Sequence, residues 1–236
     1  MLPNKLRSKL ETRPLLQVAL DFIDISEAIS IAEKVWKAGV DILEIGTPLI
    51  KAEGVRRAVT ITRNRFPEAI ILADMKTADV GALEVELAAN SGADIVTVLG
   101  TADDEVIKSA INKAQELGVA IEIDMIGHRD PINRIKRIKE LGADIVGLHI
   151  GIDVQRQRGF TAEAIGSLIK TAKQVFKGPI AIAGGLKPHN IPYLIELGAE
   201  IIVIGSAITK SQDPYKKAKE CMDIIMEAVS KKGSSI

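Results

Sequence analysis

Eight short runs of branched apolar residues, each separated from the next by a helix-length segment, limit what this chain can fold into. The runs are LLQVALD (15–21), ILEIG (42–46), IILADMK (70–76), IVTVLG (95–100), AIEIDMIG (120–127), IVGLHIG (145–151), IAIAGG (180–185) and IIVIGS (201–206). Runs this rich in Ile and Val suit parallel strands that are covered on both faces. Between them lie stretches of helical period, such as EAISIAEKVWKAG (27–39), ALEVELAANSG (82–92) and DEVIKSAINKAQELG (104–118). Several close on glycine, which readily takes the left-handed conformation of a helix end. A tetrapeptide also recurs, as GVDI (39–42), GADI (92–95), GADI (142–145) and GAEI (198–201). Its period of about fifty residues is two strand–helix units, the mark of a repeated supersecondary element.

Eight units in 236 residues predict an α/β chain folded as one (β/α)8 TIM barrel over residues 14–236. An open doubly wound sheet is the alternative, but it fits eight regular units without a Gly-rich first turn less well. Residues 1–13, MLPNKLRSKLETR, are polar and basic and read as an N-terminal extension, either a solvated arm or a short helix under the barrel. No linker or second domain is expected.

Composition removes several classes of function. Lys+Arg and Asp+Glu both number 31, aromatic residues are 3% of the chain, and Cys221 is the sole cysteine. A neutral chain with scattered aromatics lacks the basic stripes and stacking platforms of a nucleic-acid surface. One cysteine cannot form an internal disulfide, and no Cys/His cluster suggests structural zinc. No apolar run reaches the roughly 18 residues of a membrane span, and the N-terminus carries no apolar signal core. The expectation is a soluble, cytoplasmic protein.

The polar residues that interrupt the strands fall in one place. A parallel barrel carries its chemistry at the C-terminal ends of the strands, and strand residues two apart share a face. By that parity Asp21, Glu44, Asp74, Lys76, Asp124 and His149 converge on one mouth. Gln17 and Glu122 lie deeper on the same parity and read as interior hydrogen-bonding residues. Four carboxylates against one ammonium leave the mouth near −3, so some acids would take up protons unless a cation compensates. A divalent ion on oxygen ligands is one remedy, and Mg²⁺ needs only one or two carboxylates plus water and substrate. Glu44 and Asp74, on adjacent strands, are the expected pair. The alternative is a set of carboxylates bridged by Lys76 with no metal. Gly184-Gly185 after strand 7 and Gly205-Ser206 after strand 8 read as an anion seat, where free backbone N–H groups attract phosphate. A phosphorylated substrate is expected.

The same segments carry a family pattern. Asp74-Met75-Lys76-Thr77-Ala78-Asp79 resembles the D-x-K-x-x-D strand end of the orotidine-phosphate decarboxylase suprafamily. Within that group, QVALD (17–21), EIGTPLIKAEG (44–54), residues 73–100, LHIGID (148–153), AGGL (183–186) and VIGSAITK (203–210) are similar to the 3-hexulose-6-phosphate synthases. The resemblance runs from about residue 15 to residue 230. It implies a reversible, Mg²⁺-dependent aldol reaction of D-ribulose 5-phosphate with formaldehyde, with Mn²⁺ as a substitute metal. It also implies a place in formaldehyde fixation or pentose phosphate synthesis. Carried over by position, Glu44 and Asp74 match metal ligands, Asp74 also belonging to the catalytic set, and Asp21 matches a sugar-hydroxyl contact. Lys76 matches the lysine that supports the enediolate, and His149 the histidine that moves protons. Asp79 matches an aspartate that reaches into the partner subunit's site, which implies a homodimer. Gly184, Gly185 and Gly205 match phosphate-binding positions, with Ser206 beside them, and Asp124 joins the substrate contacts.

Two other functions remain open from the sequence. The related 3-keto-L-gulonate-6-phosphate decarboxylases carry arginines where this chain has Ile152 and Ser206. Their absence favours the synthase but leaves the phosphate with fewer charges, which Arg129, Arg156 or Arg158 is expected to supply. A non-catalytic barrel that binds sugar phosphate is the other possibility. Such a protein has no need of a proton-transfer group such as His149.

Overall fold

The computed structural model describes residues 2–149 and 162–233. All eight apolar runs are strands: β1 (Leu15–Leu20), β2 (Ile42–Ile45), β3 (Ile70–Thr77), β4 (Ile95–Leu99), β5 (Ala120–Asp124), β6 (Ile145–His149), β7 (Ile180–Ala183) and β8 (Ile201–Ile204). They pair in parallel, each with its neighbours in chain order, and close β8 onto β1 as a barrel. The closed TIM barrel is therefore the fold, and the open-sheet alternative falls because β1 has a partner on both sides.

Helices cover the outside. They are α1 (Asn4–Leu10), α2 (Ile25–Lys37), α3 (Thr47–Glu53), α4 (Val55–Arg65), α5 (Gly81–Asn90), α6 (Asp104–Leu117), α7 (Pro131–Leu141), α8 (Ala162–Phe176), α9 (Ile191–Glu196), α10 (Ser206–Thr209) and α11 (Pro214–Gly233). Local chemistry sets their ends. Asp24 caps α2 by accepting N–H bonds from Ser26 and Glu27, and Gly118 ends α6 in the left-handed conformation. Outward strand residues such as Val18, Leu43, Ile71 and Val96 form one apolar layer with the helices.

The recurring tetrapeptide has a structural job at the bottom of the barrel. Its acidic residue precedes every even-numbered strand and accepts the N–H of a residue in the strand before it. Asp41 accepts from Leu16, Asp94 from Ile71, Asp144 from Ile121 and Glu200 from Ile180, at 2.8–3.1 Å. A carboxylate here satisfies strand-start donors that the sheet ladder leaves over. Basic side chains pair with these acids in turn: Lys9 and Arg13 with Asp41, Arg63 with Asp94, and Lys173 with Glu200. Lys9 and Arg13 belong to the N-terminal segment. Its helix α1 also buries Leu6 completely, among barrel-interior residues such as Leu15, Ile70 and Ile145.

Inward residues stack in layers drawn from alternate strands, following the strand register and the stagger of an eight-stranded barrel. Ile42, Ile95, Ile145 and Ile201 form a sealed apolar layer. Above it lie Gln17, Leu72, Glu122 and Ala181, then Glu44, Thr97, Gly147 and Val203. Ala19, Asp74, Asp124 and Ala183 complete the stack beneath the mouth. The polarity of the interior thus rises from bottom to top.

Candidate active site

The mouth is a cavity of about 950 Å³, and all six strand-end residues read from the sequence line it: Asp21, Glu44, Asp74, Lys76, Asp124 and His149. Gly184, Gly185, Gly205 and Ser206 line it as well, at the ends of β7 and β8. Asp79 does not. It lies on the exposed turn after β3, where its carboxylate accepts the N–H of Val80. Val80 and Leu83 beside it are half exposed.

The β3 end is irregular in a way that shapes the centre. The β3–β4 register shifts between Ala73 and Thr77, and Lys76 takes a φ of 47°, in the left-handed region. That conformation is costly for a residue with a side chain. Thr97 supports it: its hydroxyl accepts the Lys76 N–H at 2.9 Å and donates to Asp74 Oδ1 at 2.8 Å. Thr47 Oγ1 lies 2.8 Å from Asp74 Oδ2 and from its carbonyl oxygen. The bulge turns the Lys76 ammonium back into the cavity, 3.0 Å from Asp74 Oδ1 and 2.7 Å from Asp124 Oδ2.

Charges in the cavity are strongly coupled. Burial alone would lower the Lys76 pKa, but Asp124 and Asp74 outweigh it and hold the lysine above its usual range. Burial likewise pushes against Asp124, yet His149 and Lys76 hold it below the usual carboxylate range. His149 Nδ1 stands 3.6 Å from Asp124 Oδ2, an electrostatic contact rather than a hydrogen bond. Glu44 behaves oppositely. Burial and the nearby Asp74 raise its pKa well above normal, against a 2.7 Å hydrogen bond from Gln17. Loss of solvation and the repulsion of Asp74 also raise Asp21. A side chain at Gly46 would collide with the Asp21 carboxylate, so that glycine makes room for the acid.

Lys76 thus bridges two carboxylates, as the metal-free alternative requires, but the bridge leaves Glu44 uncompensated. Burial first, and then the repulsion of Asp74, raises its proton affinity, so two carboxylates face one another on this side of the cavity and, among the described residues, Glu44 has no cation of its own. A hard divalent cation relieves such repulsion. Among the described residues no three His, Cys, Asp or Glu side chains form a metal cage. Two carboxylates with an open cavity in front suit Mg²⁺, which keeps water and substrate oxygens in its shell, better than Zn²⁺. The donor set fits the ion that the resemblance implies.

Several site residues were not read from the sequence. Thr97 is inward-facing on β4 by the same parity, but threonine is an ordinary strand residue and raises no alarm. Thr47, Lys51 and Lys210 reach the site from the helical segments that follow β2 and β8, where strand parity says nothing. Lys210 lines the cavity and, with Lys76 and His149, opposes the rise that burial and Asp74 impose on the Asp21 pKa. Arg129, one of three arginines expected to assist phosphate, lines a separate groove with Asp104, His128 and Arg134. The other two, Arg156 and Arg158, lie outside the described residues, as does Ile152.

Comparison with known proteins matches this layout to a family. The sequence model described as Orotidine 5'-phosphate decarboxylase / HUMPS family matches residues 14–221. The chain is 41% identical over 205 residues to the 3-hexulose-6-phosphate synthase of Mycobacterium gastri, covering 87% of this chain and 96% of that protein. The crystal structure of 3-hexulose-6-phosphate synthase from Salmonella typhimurium is similar with a TM-score of 0.83 at 37% identity, covering 91% of this chain and 99% of that one. The crystal structure of 3-keto-L-gulonate-6-phosphate decarboxylase from Vibrio cholerae gives a TM-score of 0.82 at 28% identity, covering 92% and 99%.

Proposed function

The chain belongs to the orotidine 5'-phosphate decarboxylase / HUMPS family, and we propose that its reaction is the reversible aldol condensation of D-ribulose 5-phosphate with formaldehyde. It is an enzyme, a carbon–carbon lyase of the aldol type. The observation that carries the reading is the Lys76 ammonium fixed between Asp74 and Asp124, with His149 beside the same Asp124.

Removing a proton next to a ketone makes an enediolate, whose negative charge must be met where it forms. Lys76 provides that charge in place, preorganised by two acids before substrate arrives. Held above its usual pKa, it stays protonated and is a poor imine-forming nucleophile, so the aldol step proceeds without a Schiff base. His149 is the group that takes the proton from the carbon beside the carbonyl and returns it. An imidazole nitrogen can both accept and donate a proton, which suits both directions. Asp124, held below the normal range, remains a carboxylate and orients Lys76 and His149. Asp21 accepts a sugar hydroxyl at the rim.

Gly184, Gly185, Gly205 and Ser206 receive the phosphate, with Lys210 adding charge. Binding this remote group positions the reacting carbons. Formaldehyde is small enough to need little pocket of its own. Glu44 and Asp74 would hold Mg²⁺, or Mn²⁺ in its place, and the ion would supply positive charge to stabilise the enediolate. Asp79, outside its own barrel's cavity, serves the cavity of a partner in a homodimer, and the exposed Val80 and Leu83 flank it at that contact.

The cell uses the reaction either to fix formaldehyde or, in reverse, to make pentose phosphate. The cytoplasm, where sugar phosphates are made, is its expected location. Among the described residues no helix is long and apolar enough to cross a membrane.

Lys76→Met and His149→Asn test the roles. Turnover should fall by about 10²–10³ for the lysine and 10²–10⁴ for the histidine. Ribulose 5-phosphate binding, measured by calorimetry, should persist in the His149 variant. Full turnover in both variants removes the mechanism.

A further inference from the structure

Beneath the reactive groups lies a polar layer that the proposed chemistry does not use. Gln17 and Glu122 project inward from β1 and β5, on opposite sides of the barrel, and both line the bottom of the cavity. They are 2% and 6% exposed. Each keeps one side-chain oxygen, Gln17 Oε1 and Glu122 Oε2, fully buried and without a hydrogen-bond partner among the described residues. Buried polar atoms left so are costly and are rarely tolerated in folded proteins.

Both side chains border the floor of the one cavity, so the space next to them is continuous with it. Ala181 is the small member of their own layer. Gly147 stands directly above Glu122, where an added Cβ would strike Oε1. Below, Ile42, Ile95, Ile145 and Ile201 close the compartment with side chains that offer no polar partner. The result is a polar floor open to the cavity above it, with two buried side-chain oxygens that lack a partner among the described residues. Water is the ligand of that chemistry, since it can give protons to both oxygens and needs two to four polar partners.

We propose that this floor is an internal water site in which water bridges Gln17 Oε1 and Glu122 Oε2, making Glu122 a positioning residue for Glu44. The link runs through the Gln17 amide. Its Nε2 donates to Glu44 Oε2 at 2.7 Å, which requires the carbonyl end to point the other way. A flipped amide would set its oxygen against the Glu44 carboxylate. A donor at Oε1 fixes the correct orientation and so holds Glu44 toward the cavity. Burial, with Asp124 and Asp74 nearby, pushes Glu122 up to about 8, so at neutral pH it is a neutral acid that can share its own proton with the water. The inference rests on the proposed function only in treating Glu44 as a working residue.

A high-resolution crystal structure of the wild type, with kinetics of Glu122→Gln and Glu122→Leu, tests it. The expected structure holds an ordered water within hydrogen-bond distance of both Gln17 Oε1 and Glu122 Oε2. Glu122→Gln, which keeps a donor, should retain turnover within about twofold. Glu122→Leu, which removes the bridge, should lose about tenfold in kcat with little change in KM for ribulose 5-phosphate. Mn²⁺ binding to the substrate-free protein, followed by electron paramagnetic resonance, should weaken in the Leu variant and not in the Gln variant. A dry floor overturns the proposal, and so does a Leu variant with wild-type kcat and Mn²⁺ affinity. If Glu122→Leu does not fold, loss of turnover in Glu122→Gln comparable to that in Lys76→Met overturns it instead. Failure of the wild type to condense its substrates, with the water present and Mn²⁺ bound, counts against the proposed reaction and leaves the floor standing.

Discussion

Lys76 shows how much one residue's role depends on its backbone. Its left-handed φ and the register shift at the end of β3 place the ammonium between two acids that strand parity already puts on the same face. The parity was legible: six residues on five strands were assigned to one mouth, and all six line it. The bulge was not, because nothing in Asp-Met-Lys-Thr distinguishes a regular strand end from an irregular one. Thr97 and Thr47, which stabilise the irregularity, carry no chemical signal of their own. At this scale Glu122 also gives a pH prediction. Its carboxyl titrates at about 8 in the folded chain against an ordinary value of 4.5. A raised acid contributes stability that is fully present below the unfolded pKa and is lost as pH rises through the folded one. Stability to urea should therefore fall between about pH 4.5 and pH 8, and Glu122→Gln should flatten that slope. An unchanged slope in the variant contradicts the assignment.

At the scale of elements, the tetrapeptide repeat was legible as a period but not as a device. Its glycine and isoleucine announce a helix end and a strand start. The acid between them acts on the preceding strand, a contact set by the sheet and invisible along the chain. Asp94 is the clearest case: it accepts the Ile71 N–H and pairs with Arg63, which also ties down the carbonyls of Gly92 and Ala69. Asp94→Ala should cost about 1–3 kcal/mol in unfolding free energy. The change lies at the opposite end of the barrel from the cavity, so kcat at a temperature where the variant is folded should stay near wild type. A parallel loss of kcat without loss of stability argues against this division of labour. The N-terminal segment is joined to the same feature, since Lys9 and Arg13 meet on Asp41 while Leu6 enters the barrel interior. Its basic charges thus act within the fold, which a charge run alone does not reveal.

The acids that adjoin the strands gather at the two ends of the barrel. At the bottom, lysines and arginines of the chain itself offset them, whereas the mouth keeps an excess that Lys76 offsets only in part. The zero net charge of the sequence conceals this polarity. Asp79 extends the argument to a second copy of the chain. If each cavity takes Asp79 from its partner, the Asp79→Ala and Lys76→Met variants are each inactive, yet mixed dimers contain one complete cavity. Random exchange of subunits should restore about a quarter of wild-type activity in a symmetric dimer. No recovery after verified exchange means that Asp79 does not serve a partner. The central claim is the reaction itself, and the most direct measurement incubates the protein with ribulose 5-phosphate and formaldehyde, with Mg²⁺ and with a chelator. Both substrates should disappear together into a hexulose phosphate with Mg²⁺, and the chelator should stop the loss. Metal-loaded, folded protein that leaves both substrates untouched contradicts it.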